Sequence, residues 1–273
     1  MLSSCVDIVK VPEMADSTLS TERRDGILTI ALNRAEALNA WNGAMRAEMK
    51  SVFSTIRNDR SVHCVILTGR GRAFSAGGDI KEMEPHRSPA TIRDRLRNFL
   101  HDVIVPLVEL EVPIIAAVNG LAVGAGMSLA LAADIIIAAQ SSYFSPAFLK
   151  VGLIPDACAA YLLTRRVGPA RAREWCLRGA RISALEAQEV NLVSRVVPDA
   201  DLMTEALNIA REISAHAPGA TRLTKALLRR AERSTLDEMV EFEAAYMAIA
   251  ASDPNHAEAL RAFAEKRPPK FGE

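Results

Sequence analysis

The sequence is poor in aromatic residues and has no excess of charge of either sign. Phe, Trp and Tyr make up 5% of the 273 residues, and 33 Lys and Arg residues balance 33 Asp and Glu residues. A chain without net charge has no overall field that attracts nucleic acid or an anionic membrane, and few aromatic side chains leave little surface for base stacking. We therefore expect neither a nucleic-acid-binding protein nor a membrane-bound one.

Cysteine is also scarce, and its spacing excludes two classes of site. The four cysteines, Cys5, Cys64, Cys158 and Cys176, lie far apart and form no CxxC pair. This pattern predicts free thiols in a reducing compartment, and we expect a cytoplasmic protein. The five histidines form no HExxH motif and no metal-ligand spacing with the cysteines, so we expect no metal.

Strand-like segments alternate with helix-like segments, which predicts an α/β protein in three parts. Residues 1–20 carry no export signal and are predicted to be a ragged N-terminus, residues 21–200 an α/β core, and residues 201–273 an all-helical section. Within the core, Gly26–Leu32 and Val62–Thr68 are β-branched runs typical of strands.

One uncharged run, Val112–Ala133, is long enough to span a membrane. It contains Pro113, Gly120 and Gly124, however, and Asp134 ends it. Such frequent breakers predict a buried strand, a glycine turn and a short buried helix in succession, so we expect a soluble protein.

Two glycine-containing turns follow predicted strands. The first is AFSAGGDI at Ala73–Ile80, and the second is NGLAVGAG at Asn119–Gly126. Glycine lets backbone N–H groups point outward without side-chain obstruction, and two N–H groups that converge on one point can polarise a carbonyl and stabilise an enolate. Neither turn reads GxGxxG, so a dinucleotide site is not predicted.

These turns, together with FSPAFLKVGLIPD, GARISALEAQEVNLVSRVV and AFAEKRPPKF further along the chain, resemble the crotonase (enoyl-CoA hydratase/isomerase) family in order and spacing. The resemblance implies a spiral of ββα units and a helical C-terminal section that forms a homotrimer or a dimer of trimers. It also implies an acyl-CoA thioester substrate, a role in fatty acid metabolism, and no cofactor other than the coenzyme A of the substrate.

The resemblance also implies which residues bind substrate. The backbone N–H groups of Gly78 and Ala125 would hold the thioester carbonyl, and the adenine and phosphates would lie near Ala76 and Lys81. Phe263 and Lys266 would help to close the site of a neighbouring subunit. The alternative for Lys81, Phe263 and Lys266 is that they are only surface charge and tail packing. The complete set of implied substrate-binding positions is Ala76, Lys81, Gly124, Ser128, Phe148, Phe263 and Lys266.

Two positions depart from the hydratases of this family, which use a pair of glutamates to add water. This chain has Ser128 at the first position and Phe148 at the second. Neither serine nor phenylalanine exchanges a proton near neutral pH, so the machinery for hydration is missing. A hydrolase that uses Ser128 as its nucleophile is not favoured, because no His/Asp pair can be assigned to it.

One acidic residue remains at a catalytic position, Asp156 in the string GLIPD. That string is similar to the acid-bearing segment of Δ3,Δ2-enoyl-CoA isomerases and of the ring-opening isomerase of phenylacetate breakdown. An isomerase needs only one carboxylate, which moves a proton from C2 to C4 of the acyl chain. The alternative is that Asp156 only caps the helix that begins near Ala159.

Three functions stay open on the sequence alone. They are an isomerase with Asp156 as acid/base, an enoyl-CoA hydratase in which Asp156 acts alone on water, and a non-catalytic acyl-CoA-binding homologue. The last is motivated by Cys158 and Ala159, which replace paired glycines of the family. We interpret Cys158 as a small buried apolar residue, because no histidine is placed to activate it.

Overall fold

The computed structural model describes residues 17–83 and 88–272. Residues 1–16 of the ragged terminus predicted at residues 1–20 lie outside them, and Leu19 and Ser20 belong to the first strand. The described strands are β1 (Leu19–Arg24), β2 (Ile27–Leu32), β3 (Cys64–Gly69), β4 (Ala73–Ser75), β5 (Ile114–Val118), β6 (Leu121–Val123), β7 (Ile135–Ala139), β8 (Tyr143–Ser145), β9 (Ile182–Ser183) and β10 (Arg195–Val197). The helices are α1 (Gly43–Asn58), α2 (Pro89–Phe99), α3 (Val105–Glu109), α4 (Ala125–Leu131), α5 (Ala159–Arg178), α6 (Ala184–Glu189), α7 (Leu202–Ser214), α8 (Pro218–Ala231), α9 (Leu236–Ala251) and α10 (Pro254–Ala264).

The strands form two sheets, and from β3 to β8 successive strands of the chain belong alternately to one sheet and to the other. The larger sheet has the order β1-β2-β3-β5-β7-β10, and the smaller one has the order β4-β6-β8-β9. All pairs are parallel except β1 with β2 and β8 with β9. Each of the three turns of chain that start at β3, β5 and β7 therefore gives one strand to the larger sheet and the next to the smaller one, followed by a helical segment. This succession is the ββα spiral expected above.

The larger sheet is buried on both faces, as parallel sheets usually are. Along β3, Val65 and Leu67 belong to the main core, whereas Cys64 and Ile66 face a second cluster formed with α7. Side chains alternate between the two faces of a strand, so the continuous apolar run CVIL feeds both clusters. Because both of its faces are packed, the larger sheet forms a rigid support for the smaller sheet and the turns that follow its strands.

The first helix and one helix start follow from local sequence patterns. Helix α1 buries Met45, Met49, Phe53 and Ile56, which recur at helical spacing. Ser88 caps α2 by accepting a hydrogen bond from the N–H of Thr91. The helical run then passes through a π-helical turn at Leu100–Ile104 into α3, whose Pro106 lacks the N–H that a regular turn would use.

The C-terminal part from α7 onward is helical, as predicted. Lys225 on α8 ties it to the core, because its Nζ donates to the carbonyl oxygen of Val112 at 2.9 Å and pairs with Asp134 at 2.6 Å. In α9, which the structure describes completely, no residue is buried, and Leu236 and Met247 are largely exposed. Among the described helices, none combines the length and apolar character needed to cross a membrane.

Candidate active site

The smaller sheet collects the predicted site residues at one edge. Strands β4, β6 and β8 are parallel neighbours, with Ser75 paired to Ala122 and Val123 paired to Ser145. The segments that leave the carboxyl ends of parallel neighbours lie side by side. They are the first glycine turn, the second glycine turn, and a 3-10 helix at Ala147–Val151 that carries Phe148.

The first glycine turn is held by a single parallel bridge between Trp41 and Gly78. The N–H of Trp41 donates to the carbonyl oxygen of Gly77 at 2.7 Å, and the N–H of Asp79 donates to the carbonyl oxygen of Trp41 at 2.9 Å. In this geometry the groups of Gly78 itself point away from Trp41. Within the described ranges the N–H of Gly78 donates to no protein acceptor, so it is available to a ligand.

Asp79, the acidic residue of this turn, is fully engaged. Its carboxylate accepts from the N–H of Lys81 at 3.1 Å and from both terminal nitrogens of Arg34 at 3.0 Å. The hydrogen bond from Lys81, together with Arg34, lowers the pKa of Asp79 below its ordinary value. Asp79 is therefore a structural anion that fixes the turn and is unsuited to proton transfer.

The second glycine turn needs glycine at one position for conformational reasons. Gly124 has φ 55° and ψ −126°, a backbone conformation that residues with a Cβ rarely adopt, and its N–H donates to the carbonyl oxygen of Ser145 at 2.9 Å. Ala125 follows as the first residue of α4, so its N–H has no acceptor inside the helix. This N–H is the second available donor.

The two turns touch each other. A Cβ built on Gly77 would stand 2.7 Å from the carbonyl oxygen of Val123 and 3.3 Å from the amide nitrogen of Ala125. Only a residue without a side chain allows this approach. The fold thus brings together the two segments whose N–H groups the sequence predicted to converge, and the pair can receive a carbonyl oxygen that gains negative charge.

Asp156 lies between the 3-10 helix and α5, and one of its carboxylate oxygens is buried without a hydrogen bond among the described residues. Its Oδ1 is buried and has no hydrogen-bond partner in the described part of the chain. Burial raises the pKa of Asp156 from an ordinary 3.8 to about 6, because an apolar environment disfavours the charged form. A carboxyl group in this condition is suited to exchange a proton near neutral pH.

The alternative that Asp156 only caps α5 was wrong. The N-cap residue of α5 is Cys158, and no side chain caps this helix. Asp156 contributes only its carbonyl oxygen, which accepts from the N–H of Ala159 at 2.8 Å. The carboxyl group therefore does not cap the helix and can interact with a ligand instead.

Ser128 and Phe148 both lie at this site, but neither carries a titrating group. Ser128 is fully buried, and its Oγ lies 3.3 Å from the carbonyl oxygen of Asp156 and 3.4 Å from that of Gly124. Phe148 is 6% exposed, and its ring stands 3.7 Å from where a Cβ of Gly124 would be. The hydroxyl is occupied by main-chain carbonyls, and the ring covers the second turn with apolar surface.

The remaining residues predicted to bind substrate, outside the turns' donor groups and Asp156, lie on or near the surface. Ala76 is half-buried beside the first turn, and Lys81 is exposed in the 3-10 helix Ile80–Glu82. Phe263 on α10 is 86% exposed, and Lys266 is exposed just after that helix. In the described chain neither Phe263 nor Lys266 forms a hydrogen bond or ion pair with the turns or Asp156, so their role in binding stays a prediction.

Sequence reasoning missed three features of the site. Trp41 brackets Gly78, Met83 places its methyl group 2.9 Å from where a Cβ of Gly78 would be, and two left-handed residues follow Asp156. These residues are Ala157 with φ 51° and Cys158 with φ 61°. Only the last feature left a signal in the sequence, and only at Cys158, because the resemblance places paired glycines at positions 158 and 159 and glycine favours this conformation.

Comparison with known proteins shows what the chain is similar to. The sequence model described as enoyl-CoA hydratase/isomerase matches residues 22–273. The chain is 37% identical over 248 residues to 1,2-epoxyphenylacetyl-CoA isomerase from Escherichia coli K12, which covers 90% of this chain and 95% of that protein. It is 33% identical over 255 residues to 4-chlorobenzoyl coenzyme A dehalogenase-1 from Arthrobacter, with 92% of each chain covered.

The fold is equally similar to solved structures. An enoyl-CoA hydratase from Bacillus anthracis superposes with a TM-score of 0.89 at 32% identity, covering 93% of this chain and 98% of that one. An isomerase, a dehalogenase and a hydratase are thus all similar to this chain at comparable identity. The residues of the site, and not the overall similarity, therefore distinguish between these reactions.

Proposed function

The chain belongs to the enoyl-CoA hydratase/isomerase family, also called the crotonase family, and we propose that it is an isomerase that shifts a double bond in an acyl-CoA thioester. The observation that carries the proposal is the Asp156 carboxyl group, whose Oδ1 is buried without a hydrogen-bond partner among the described residues and whose pKa is raised to about 6. It stands in a site where the two positions of a glutamate pair hold Ser128 and Phe148.

The proposed reaction needs one proton carrier and one pair of donors. Ionised Asp156 removes a proton from C2 of a 3-enoyl thioester, and the electron pair moves onto the thioester oxygen to form a dienolate. The N–H groups of Gly78 and Ala125 stabilise the negative oxygen. The same carboxyl group then returns the proton to C4, which leaves the double bond between C2 and C3 and restores the carbonyl.

The environment of Asp156 suits both halves of this cycle. A group with a pKa of about 6 is mostly ionised at neutral pH and can act as a base. It is also a stronger base than an ordinary exposed aspartate, because burial disfavours its charged form. After it has taken the proton, its pKa is close enough to neutral to give the proton back.

Hydration is supported less well by the same residues. Adding water across a double bond requires a group that orients the water and a second group that delivers a proton. The hydroxyl of Ser128 lies against the carbonyl oxygens of Gly124 and Asp156, and the ring of Phe148 covers Gly124. Both positions reduce the room and the polar groups available to a water molecule.

The exposed apolar residues of the C-terminal section support an assembly of several copies. Leu236 on α9 is 80% exposed and Phe263 on α10 is 86% exposed, although both are large and apolar. We propose that these helices pair with other copies in a homotrimer or a dimer of trimers, and that Lys266 and Phe263 reach a neighbour's coenzyme A. Sedimentation equilibrium measures the number of copies, and a monomer would contradict this arrangement.

The test of the reaction is an absorbance assay with two substrates. Conjugation of a double bond with the thioester carbonyl absorbs in the ultraviolet. The purified protein should raise the absorbance with 3-hexenoyl-CoA, because isomerisation creates conjugation. A fall with 2-hexenoyl-CoA and no change with the 3-enoyl substrate would establish a hydratase instead. Binding of both thioesters without any change in absorbance would establish a non-catalytic acyl-CoA-binding homologue.

A further inference from the structure

Trp41 holds both neighbours of Gly78 in the first glycine turn. Its N–H binds the carbonyl oxygen of Gly77, and its carbonyl oxygen binds the N–H of Asp79, at 2.7 and 2.9 Å. The N–H of Gly78 lies in the same peptide plane as the carbonyl group of Gly77, so the first of these hydrogen bonds sets its direction and the second fixes the residue that follows it. A displacement of the Trp41 main chain would therefore move or turn the N–H of Gly78.

The side chain of Trp41 is buried and packs against the ring of Phe99. Trp41 is 6% exposed and belongs to the main core. The ring of Phe99, the last residue of α2, meets the indole edge-on, with centroids 5.4 Å apart and planes at 72°. This is a favourable geometry for two aromatic rings.

The indole nitrogen adds nothing to this packing. Trp41 Nε1 is buried and has no hydrogen-bond partner among the described residues, and such an unsatisfied donor destabilises the folded protein. A smaller apolar ring would avoid that cost if the position only filled the core. The part of the side chain that can fix the Trp41 main chain is therefore the aromatic ring packed against Phe99, and not the indole N–H.

Further bonds join the same two segments on either side of Trp41. Arg34 donates to the carbonyl oxygen of Ala40 at 2.6 Å and to the carboxylate of Asp79. The N–H of Gly43 donates to Glu82 at 3.1 Å, and Glu82 also pairs with Arg95 on α2 at 2.7 Å. Hydrogen bonds and ion pairs therefore connect residues 40–43 with residues 79–82, and residues 79–82 with α2.

We infer that Trp41 is a positioning residue for the Gly78 N–H, and that it acts through its main chain while Phe99 holds its ring. The inference rests on the proposed function, because it takes the Gly78 N–H as a donor to the thioester carbonyl. Such donors stabilise negative charge only when their position is fixed in advance, and a misplacement of about 1 Å can cost on the order of 100-fold in rate.

The experiment measures carbonyl polarisation directly. Cinnamoyl-CoA has no C4 proton to lose, and its conjugated absorbance band moves to longer wavelength when donors polarise the thioester carbonyl. The band is measured on binding to the wild-type protein and to Trp41→Leu, Trp41→Phe and Phe99→Leu. Trp175→Leu is the matched control, because Trp175 is also a buried tryptophan, 1% exposed on α5, and its main-chain carbonyl accepts from Ala180 and not from either of the two glycine turns. The kcat and KM with 3-hexenoyl-CoA are measured for the same set.

For Trp41→Leu we expect the red shift to fall by half or more, with kcat about tenfold or more lower and KM within about threefold of the wild-type value. Phe99→Leu should show a smaller loss in the same direction. Trp41→Phe should keep most of the shift, because an aromatic ring still meets Phe99. The control should lose thermal stability and keep both the shift and kcat.

Two failures can be told apart. If Trp41→Leu binds cinnamoyl-CoA with the full wild-type shift, or if Trp175→Leu loses the shift equally, Trp41 only fills the core and the inference is overturned. If the wild-type protein itself shows no shift, or binds no thioester, the donor pair of the proposed function is overturned instead.

Discussion

Gly77 lies directly against Ala125, so the two glycine turns form a single site. The amide nitrogen of Ala125 would be 3.3 Å from a Cβ on Gly77, and the carbonyl oxygen of Val123 would be 2.7 Å away. Gly77 also has φ 90°, which residues with a side chain rarely adopt. The spacing of the two proposed donor groups thus depends on the absence of one methyl group.

Replacing Gly77 by alanine should separate the turns. The new Cβ meets backbone atoms that cannot move aside, and we expect a loss of about 2–4 kcal/mol in unfolding free energy together with most of the turnover. Gly152→Ala is the control for the conformational cost, because Gly152 has φ 72° and nothing within 4 Å of an added Cβ. Its loss should be about 1 kcal/mol. Chemical denaturation of both variants checks this, and equal losses would argue against the close contact.

Asp156→Asn should stabilise the protein while it removes the proposed acid/base. The pKa of Asp156 is raised from 3.8 to about 6 by burial, so ionising this group in the folded protein costs up to about 3 kcal/mol. The wild-type protein is free of this cost below pH 3.8 and acquires it progressively as the pH rises to about 6. Asparagine carries no charge, but its amide stays partly unsatisfied, so we expect a net gain of about 1–2 kcal/mol above pH 6.

The measurement is the free energy of unfolding of both proteins from pH 4 to pH 8. The difference should grow between about pH 4 and pH 6 and stay constant above that range. A pH-independent difference would mean that folding does not shift the pKa of Asp156. A less stable Asn variant at pH 7.5 would mean that the Asp156 carboxylate has a stabilising partner in the folded protein.

The left-handed turn after Asp156 should prefer glycine to alanine. Cys158 has φ 61° and ψ 14°, a conformation that costs a residue with a Cβ about 1–2 kcal/mol. Cys158→Gly and Cys158→Ala both remove the thiol and differ only in the Cβ. We expect the glycine variant to be the more stable by about 1 kcal/mol, the reverse of the usual order in helices. Thermal unfolding of the pair decides this, and a more stable alanine variant would show that the turn is unstrained.

Much of the fold could be predicted from local patterns. The strands β2, β3 and β5, the amphipathic helix α1 and the Ser88 cap follow from apolar spacing and from capping chemistry, which act within a few residues. The first strand, Leu19–Arg24, was missed, because it is polar and exists only through its antiparallel pairing with β2. The division of short strands such as β4 and β6 into a second sheet likewise depends on contacts that are distant in sequence.

Only those features of the site that depend on local sequence could be predicted, because the others depend on contacts between residues that are distant in sequence. The glycine turns and Asp156 stand out because their residue types are unusual for their surroundings. Whether Asp156 caps α5 could not be decided before the placement of Cys158 at the helix start was known. The bracket of Trp41 around Gly78 joins segments 37 positions apart, and a lone tryptophan in the sequence gives no sign of it.

The most direct test of the central claim is the pH dependence of kcat/KM with a 3-enoyl-CoA, measured for the wild-type protein and for Asp156→Asn. A base whose pKa is about 6 must be ionised to act, so the wild-type value should rise about tenfold per pH unit below pH 6 and level off above it. Asp156→Asn should retain less than about one-hundredth of the plateau value and show no such rise. An Asn variant with wild-type turnover, or a wild-type profile that is flat through pH 6, would contradict the claim that Asp156 carries the proton.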